Sequence, residues 1–153
     1  MINICPKPKK IHFENKWFEF DGFLNLPDFL SDEFKVPKGS WILEKTEGNR
    51  TGLEIEDKKV RYWGDENVVF STIIQLFLQG KRFLPKLTIE EEFQYDFRCF
   101  HLDIARGGVP SIDTFKKILR YMFLAKMNYF AIYFEDLFPW ENHPKIGQKR
   151  GRL

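Results

Sequence analysis

The sequence predicts two parts in tandem. Residues 1–92 read as a small α+β domain, a sheet with a helix on one face, and residues 93–153 as a strand–helix–strand unit. Three observations carry this. Short runs of alternating apolar and polar residues recur before Gly64, the pattern of strands with one buried face. One strong helical repeat follows them. From Phe97 onward the order becomes strand, helix, strand within about 40 residues, the sequence form of a right-handed parallel crossover.

Taken in order, residues 9–13 and 16–20 flank the polar pair Glu14-Asn15 and read as a β-hairpin, with Pro6 and Pro8 keeping the entry extended. Residues 25–34 hold a short helix with Leu26, Phe29 and Leu30 on one side. SWILEK, residues 40–45, is a strand, and TEGNRTG is a loop. Residues 53–56 and 59–63 form a hairpin about Asp57-Lys58, with Leu53, Ile55, Val60 and Tyr62 as its apolar positions. Asp65 caps a helix on which Val68, Val69, Thr72, Ile73, Leu76 and Phe77 recur at helical spacing, and Gly80 ends it. Residues 87–91 give one more strand.

In the second part, residues 97–104 are a strand and Gly107-Gly108-Val109-Pro110 is a turn. Ser111 caps the next helix, which runs to Lys126. Ile112, Phe115, Ile118, Leu119 and Met122 make its apolar stripe, and Lys116, Lys117 and Arg120 face outward. Residues 128–134 are the returning strand. Both strands end in charged residues, Arg106 after the first and Glu135-Asp136 after the second. Charged groups at the carboxyl ends of adjacent parallel strands are how an α/β barrel builds an active site. The unit therefore looks like the first part of a TIM (β/α)8 barrel. A complete barrel needs roughly 250 residues, so only its opening is expected in a chain of 153.

Composition narrows the function classes. At 43% hydrophobic residues, with 17 phenylalanines, the chain can build a core and wholesale disorder is excluded. A net charge of +2 gives no general case for nucleic acid or a membrane surface. The basic tail KIGQKRGR reads as a solvated terminus rather than a binding patch. No apolar run approaches the roughly 20 residues of a membrane span, and MINICPKPKK lacks the apolar core of a signal peptide. Cys5 and Cys99 form neither a CxxC nor a disulfide framework, and Cys99 reads as a small core residue. The expected setting is the reducing cytoplasm.

The chemistry-bearing residues cluster at the strand ends. An arginine at position 106 can offer a fixed fork of donors to paired hydroxyls or a carboxylate; on periodicity alone, an ion pair with a neighbouring carboxylate is the simpler role. Asp103, inside the strand, reads as structural, because a buried carboxylate needs partners. Glu135 and Asp136 are adjacent at a strand end, so one can face the mouth while the other braces the loop. Phe138 and Trp140 offer aromatic surface there, or simply pack. His12, His101 and His143 share no metal-ligand spacing, and His101 reads as core or hydrogen-bonded scaffold. No nucleophile elbow, P-loop or Rossmann glycine pattern is present. No metal and no cofactor are expected.

At these residues the chain resembles glycoside hydrolase family 20, the β-N-acetylhexosaminidases. FRCFHLDIARGGVP is similar to that family's first barrel strand, on which an arginine after a Leu-Asp pair grips the non-reducing sugar; Arg106 follows Leu102-Asp103 in the same way. KMNYFAIYFEDLFPWE is similar to the second barrel strand, with Glu135-Asp136 where an Asp-Asp pair is usual. NVVFSTIIQLFLQGKRFLPKLTIEEEFQYDFR resembles the helix, strand and crossover of the small domain preceding the barrel. Gly107-Gly108 stands where many members carry a histidine, which implies a divergent branch.

The resemblance implies substrate-binding roles for Arg106, Glu135 and Asp136 and a glycan bearing N-acetylhexosamine as partner. The family's catalytic Asp-Glu pair, which protonates the leaving oxygen and orients the substrate's own acetamido group, would fall beyond Leu153. No residue here is matched to that role, and the chain alone is expected to be inactive. The alternative is a non-catalytic carbohydrate-binding or assembly module, self-associating through the incomplete barrel. Nucleic-acid binding through the tail is the weakest reading.

Overall fold

The structure, a computed structural model, describes residues 2–105, 108–134 and 141–143. The chain divides into two compact units. The first comprises residues up to Asp96 together with Leu124–Lys126, and the second comprises Phe97–Phe123 and the chain from Met127 onward.

The first unit is built on a five-stranded sheet in the order β1-β5-β3-β4-β2. Its strands are β1 (Lys10–Glu19), β2 (Ile42–Lys45), β3 (Thr51–Glu56), β4 (Lys59–Trp63) and β5 (Phe83–Glu91), with helices α1 (Asp28–Phe34) and α2 (Glu66–Gly80). All pairings are antiparallel except β2 with β4. Alternation decides which face is buried. Leu53, Ile55, Val60, Leu84, Leu87 and Ile89 are all fully buried, and α2 packs against β3, β4 and β5. Helix α2 starts where expected, because the Asp65 carboxylate accepts hydrogen bonds from the backbone N–H groups of Asn67 and Val68. Its residues from Val68 to Ile74 are buried without interruption, so the helix is covered on all sides over nearly two turns. Gly80 is its last residue, and Lys81 after it takes a positive φ in a γ-turn, closed by the Arg82 N–H donating to the Gly80 carbonyl at 2.6 Å.

An aromatic cluster of Phe18, Phe20, Phe23, Trp41 and Phe77 fills one end of this core through edge-on ring contacts. Trp41 is wholly buried, and its indole N–H donates to the Glu19 carbonyl at 3.1 Å. The N-terminal segment is tied to α2 by two glutamines one turn apart. Gln79 accepts from the N–H of Asn3 (2.8 Å) and donates to its carbonyl (2.5 Å), and Gln75 does the same for Cys5 (2.7 and 2.9 Å). Ile4, between them, is buried.

Three expectations need correction here. Residues 9–20 are not a hairpin but the single strand β1, and both halves pair with β5. Asn15 does adopt the left-handed conformation, yet it makes a bulge instead of a reversal. Glu14, Asn15 and Lys16 lie opposite the single residue Lys86, and Glu14 accepts from the Lys86 ammonium at 2.6 Å. Strand β5 begins at Phe83, four residues before the expected start. Pro85 is tolerated because β3 pairs with β5 only from Leu87 to Glu91. Helix α1 starts at Asp28, not at residue 25; Leu26 before it and Leu30 within it are buried as expected, but Phe29 is exposed and Phe34 takes the buried position.

The second unit holds β6 (Cys99–Asp103), α3 (Ile112–Leu124) and β7 (Tyr129–Tyr133). The strands are parallel and in register, from Cys99 opposite Tyr129 to Asp103 opposite Tyr133, so the unit is the expected βαβ. Asn128 opens the pairing: its side-chain oxygen accepts from the Arg98 N–H, and its own N–H donates to the Arg98 carbonyl. Ser111 caps α3 by accepting from the Thr114 N–H. Phe115 on α3 meets Phe130 on β7 edge-on, and Phe130 stacks on Phe100 of β6. Of the expected stripe, Met122 is buried and Phe115 and Ile118 are half-buried, whereas Ile112 and Leu119 stay exposed. Cys99 is half-buried and His101 is exposed rather than core, with its ring edge-on to Tyr133.

Candidate functional site

The parallel register brings the carboxyl ends of β6 and β7 level. The Ile104 N–H donates to the Tyr133 carbonyl at 3.1 Å, which carries the pairing one residue past Asp103. Asp103 is exposed, and its carboxylate accepts from the N–H of Ala105, two residues on, at 2.8 Å. This local turn fixes the chain as it leaves the strand. It also accounts for a carboxylate inside an otherwise apolar strand. Ile104 and Ala105 are buried and give the exit a firm base. The three residues expected at the mouth, Arg106, Glu135 and Asp136, lie outside the described residues, as do Phe138, Trp140 and the basic tail.

The arrangement that residue-by-residue reading missed lies in the first unit. Lys126 and Glu91 are both buried, and the Lys126 ammonium donates to Glu91 Oε1 at 2.5 Å. The Thr72 hydroxyl donates to the same oxygen at 2.8 Å. Burial pushes the Lys126 pKa below its ordinary value, against the hydrogen bond and charge of Glu91, which favour the ammonium. Nearby, the Leu124 carbonyl accepts from the Ser71 hydroxyl (3.2 Å) and the Gln75 amide (2.8 Å). A signal for Glu91 was present in the sequence. Leu87 and Ile89 point inward, so a period of two sends Glu91 inward as well. Lys126 adopts the left-handed conformation just after α3, and the next N–H, of Met127, bonds back to the Met122 carbonyl. Two charges sharing one oxygen with a hydroxyl make a structural clamp.

Among the described residues no group of three or more His, Cys, Asp or Glu side chains is placed to hold a metal ion. None of the described helices is long and apolar enough to cross a membrane. Cys5 and Cys99 are free thiols.

No protein-family model matches the sequence, and no curated protein matches it either. Its fold, in contrast, is found in solved structures. A family 20 β-N-acetylglucosaminidase aligns over 95% of this chain with a TM-score of 0.72 and 20% identity. The exo-β-N-acetylglucosaminidase of family 20 from Vibrio harveyi, solved with N-acetylglucosamine, aligns over 94% with a TM-score of 0.69 and 17% identity. The N-acetyl-β-hexosaminidase of Streptomyces plicatus aligns over 85% with a TM-score of 0.69 and 16% identity. The chain spans only 28–34% of the length of these three proteins. It has the α+β fold of one part of the family 20 β-N-acetylhexosaminidases, as the resemblance at the sequence level implied.

Proposed function

We propose that the chain is the N-terminal part of a family 20-like β-N-acetylhexosaminidase, an enzyme that hydrolyses terminal N-acetylhexosamine from glycans. In this reading residues 1–92 are the small domain that precedes the barrel, and residues 93–153 are the opening of the (β/α)8 barrel. The observation that carries it is the fold match, which takes in 84–95% of this chain in family 20 enzymes at 16–20% identity. The parallel, in-register β6 and β7 support the barrel part, because a barrel is a closed ring of such pairs. The N-acetylglucosamine bound in the Vibrio harveyi enzyme supports a glycan partner.

Arg106, Glu135 and Asp136 then form one wall of the subsite for the terminal sugar. Arg106 donates to sugar hydroxyls, and the two carboxylates accept from them. None of the three is positioned by the resemblance to protonate a leaving group. The 153-residue chain alone therefore lacks the general acid, whose contribution is about 10²–10⁴-fold in rate, and the assembled pocket. It is expected not to hydrolyse a chromogenic N-acetylglucosaminide. Turnover by purified protein that disappears when Arg106 is replaced would overturn the inactivity. Binding of N-acetylglucosamine that is indifferent to Arg106→Ala would overturn the subsite.

A second reading, an assembly role, draws on the exposed apolar residues of the βαβ unit, among them Phe97, Ile112, Leu119 and Tyr121. A surface of this kind favours self-association. Light scattering is expected to show dimers or larger species at micromolar concentration; a strict monomer removes this reading. We place the protein in the cytoplasm on its two free thiols.

A further inference from the structure

The first unit carries a second depression with the chemistry of a sugar subsite. It has a volume of about 250 Å³ and is lined by Lys10, Asn49, Arg50, Trp63 and Glu90. Trp63, the last residue of β4, pairs with Gly52 of β3. A Cβ on Gly52 would lie 2.8 Å from the indole, and one on Gly48 would lie 2.4 Å from it. Glycine at both positions lets strand and loop close onto the ring. The indole is thereby held in one orientation by backbone, not by flexible side chains. An aromatic surface fixed before binding costs little entropy to use.

The polar rim is equally prepared. Glu90 Oε2 sits between two cations, 3.3 Å from the Lys10 ammonium and 3.7 Å from Arg50 Nη1. At 3.7 Å the guanidinium is held by charge and lies beyond hydrogen-bond distance, so its donors are not spent on Glu90. Among the described residues, the side-chain amide of Asn49 and the indole N–H of Trp63 have no hydrogen-bond partner. The depression thus combines a rigid aromatic ring, several open donors and a carboxylate acceptor. This pattern suits a saccharide, which offers a C–H face to an aromatic surface and hydroxyls to both donors and acceptors. Purely apolar ligands would leave the donors unpaired.

We infer that the depression lined by Trp63, Asn49, Arg50 and Glu90 is a binding site for one saccharide residue of a glycan chain, separate from the subsite proposed at the β6 and β7 strand ends. Its ligand class agrees with the proposed function, but its residues belong to another unit, so the two stand or fall separately. The shallow opening implies weak affinity, with Kd in the millimolar range, about −4 kcal/mol. Such a site would hold the glycan chain and would not act on the bond.

The test is a nitrogen-15 NMR titration of the 153-residue chain with the β-1,4-linked disaccharide of N-acetylglucosamine, and in parallel with a uronic-acid disaccharide. Trp63→Phe identifies the Trp63 indole resonance. Saturable shifts of that resonance and of the Asn49 side-chain amide are expected with at least one disaccharide. Both should persist in Arg106→Ala, and the Trp63 indole shift should weaken at least ten-fold in the surface variant Asn49→Ala/Arg50→Ala, whose spectrum otherwise stays native. The inference is overturned if neither disaccharide shifts these resonances at about ten times a millimolar Kd. It is equally overturned if the Trp63 indole shift survives in Asn49→Ala/Arg50→Ala, or if both shifts vanish in Arg106→Ala.

Discussion

Replacing Lys126 by methionine tests the clamp in the first unit. Methionine keeps most of the lysine's apolar stem but removes the ammonium, and Glu91 is left buried with the Thr72 hydroxyl as its remaining partner at Oε1. Breaking a buried pair from one side costs about 3–5 kcal/mol, because the stranded charge must be protonated or hydrated. For a chain of this size each kcal/mol moves the melting temperature by about 2–4 °C. The single variant should therefore melt roughly 6–20 °C lower. Removing both charges, as Lys126→Met/Glu91→Leu, should recover most of the loss and can exceed the parent.

The sign of the pH dependence follows from the lowered Lys126 pKa. The unfolded chain binds this proton more tightly than the folded one. Between the lowered value and the ordinary 10.5, the unfolded state holds more protons, so this group's contribution to stability rises with pH. Below that window it is flat. Chemical denaturation of the parent and the double variant across this range reads the difference. A single-variant cost under about 1 kcal/mol, a double variant as poor as the sum of the singles, or a contribution that falls across the window would refute the reasoning.

Two further predictions rest on smaller features. Asp65→Ala removes the cap of α2 and should cost about 1 kcal/mol, read as a lower denaturation midpoint at unchanged slope; an unchanged midpoint removes the cap from the account. The Asp21 carboxylate accepts from the Ser40 N–H, and this bonding lowers its pKa below the ordinary value of 3.8. Its contribution is present above 3.8 and is lost as pH falls through the lowered value. Acid titration of stability should therefore be shallower in Asp21→Asn, and identical curves would count against it.

Local pattern made most of the elements legible, and distance decided the errors. The β3–β4 hairpin, the Asp65 cap and the βαβ order follow from neighbouring residues, and the fold bears them out. The β1 segment does not yield to the same reading. A left-handed asparagine between two apolar runs serves a tight turn and a bulge equally well, and the choice is made by β5, some 70 residues later. Phe29 and Leu119 show the other limit. Periodicity identifies an apolar side of a helix, but not whether anything covers each position on it. Glu91 was legible by alternation within the expected strand 87–91, but its partner was not, since Lys126 lies 35 residues farther along the chain. The roles expected for Arg106, Glu135 and Asp136 rest on motif resemblance alone.

The glutamine pair on α2 has a consequence for how the N-terminus tolerates change. Of the residues at positions 3 and 5, Gln75 and Gln79 bond only to main-chain atoms. The side chains at positions 3 and 5 are therefore free to drift over generations, with proline excluded because it has no N–H to give. The burden of constraint moves to the helix, where asparagine is too short and glutamate has no donor. The path of the first residues is thus encoded some 70 positions downstream, in two side chains that read peptide and not sequence.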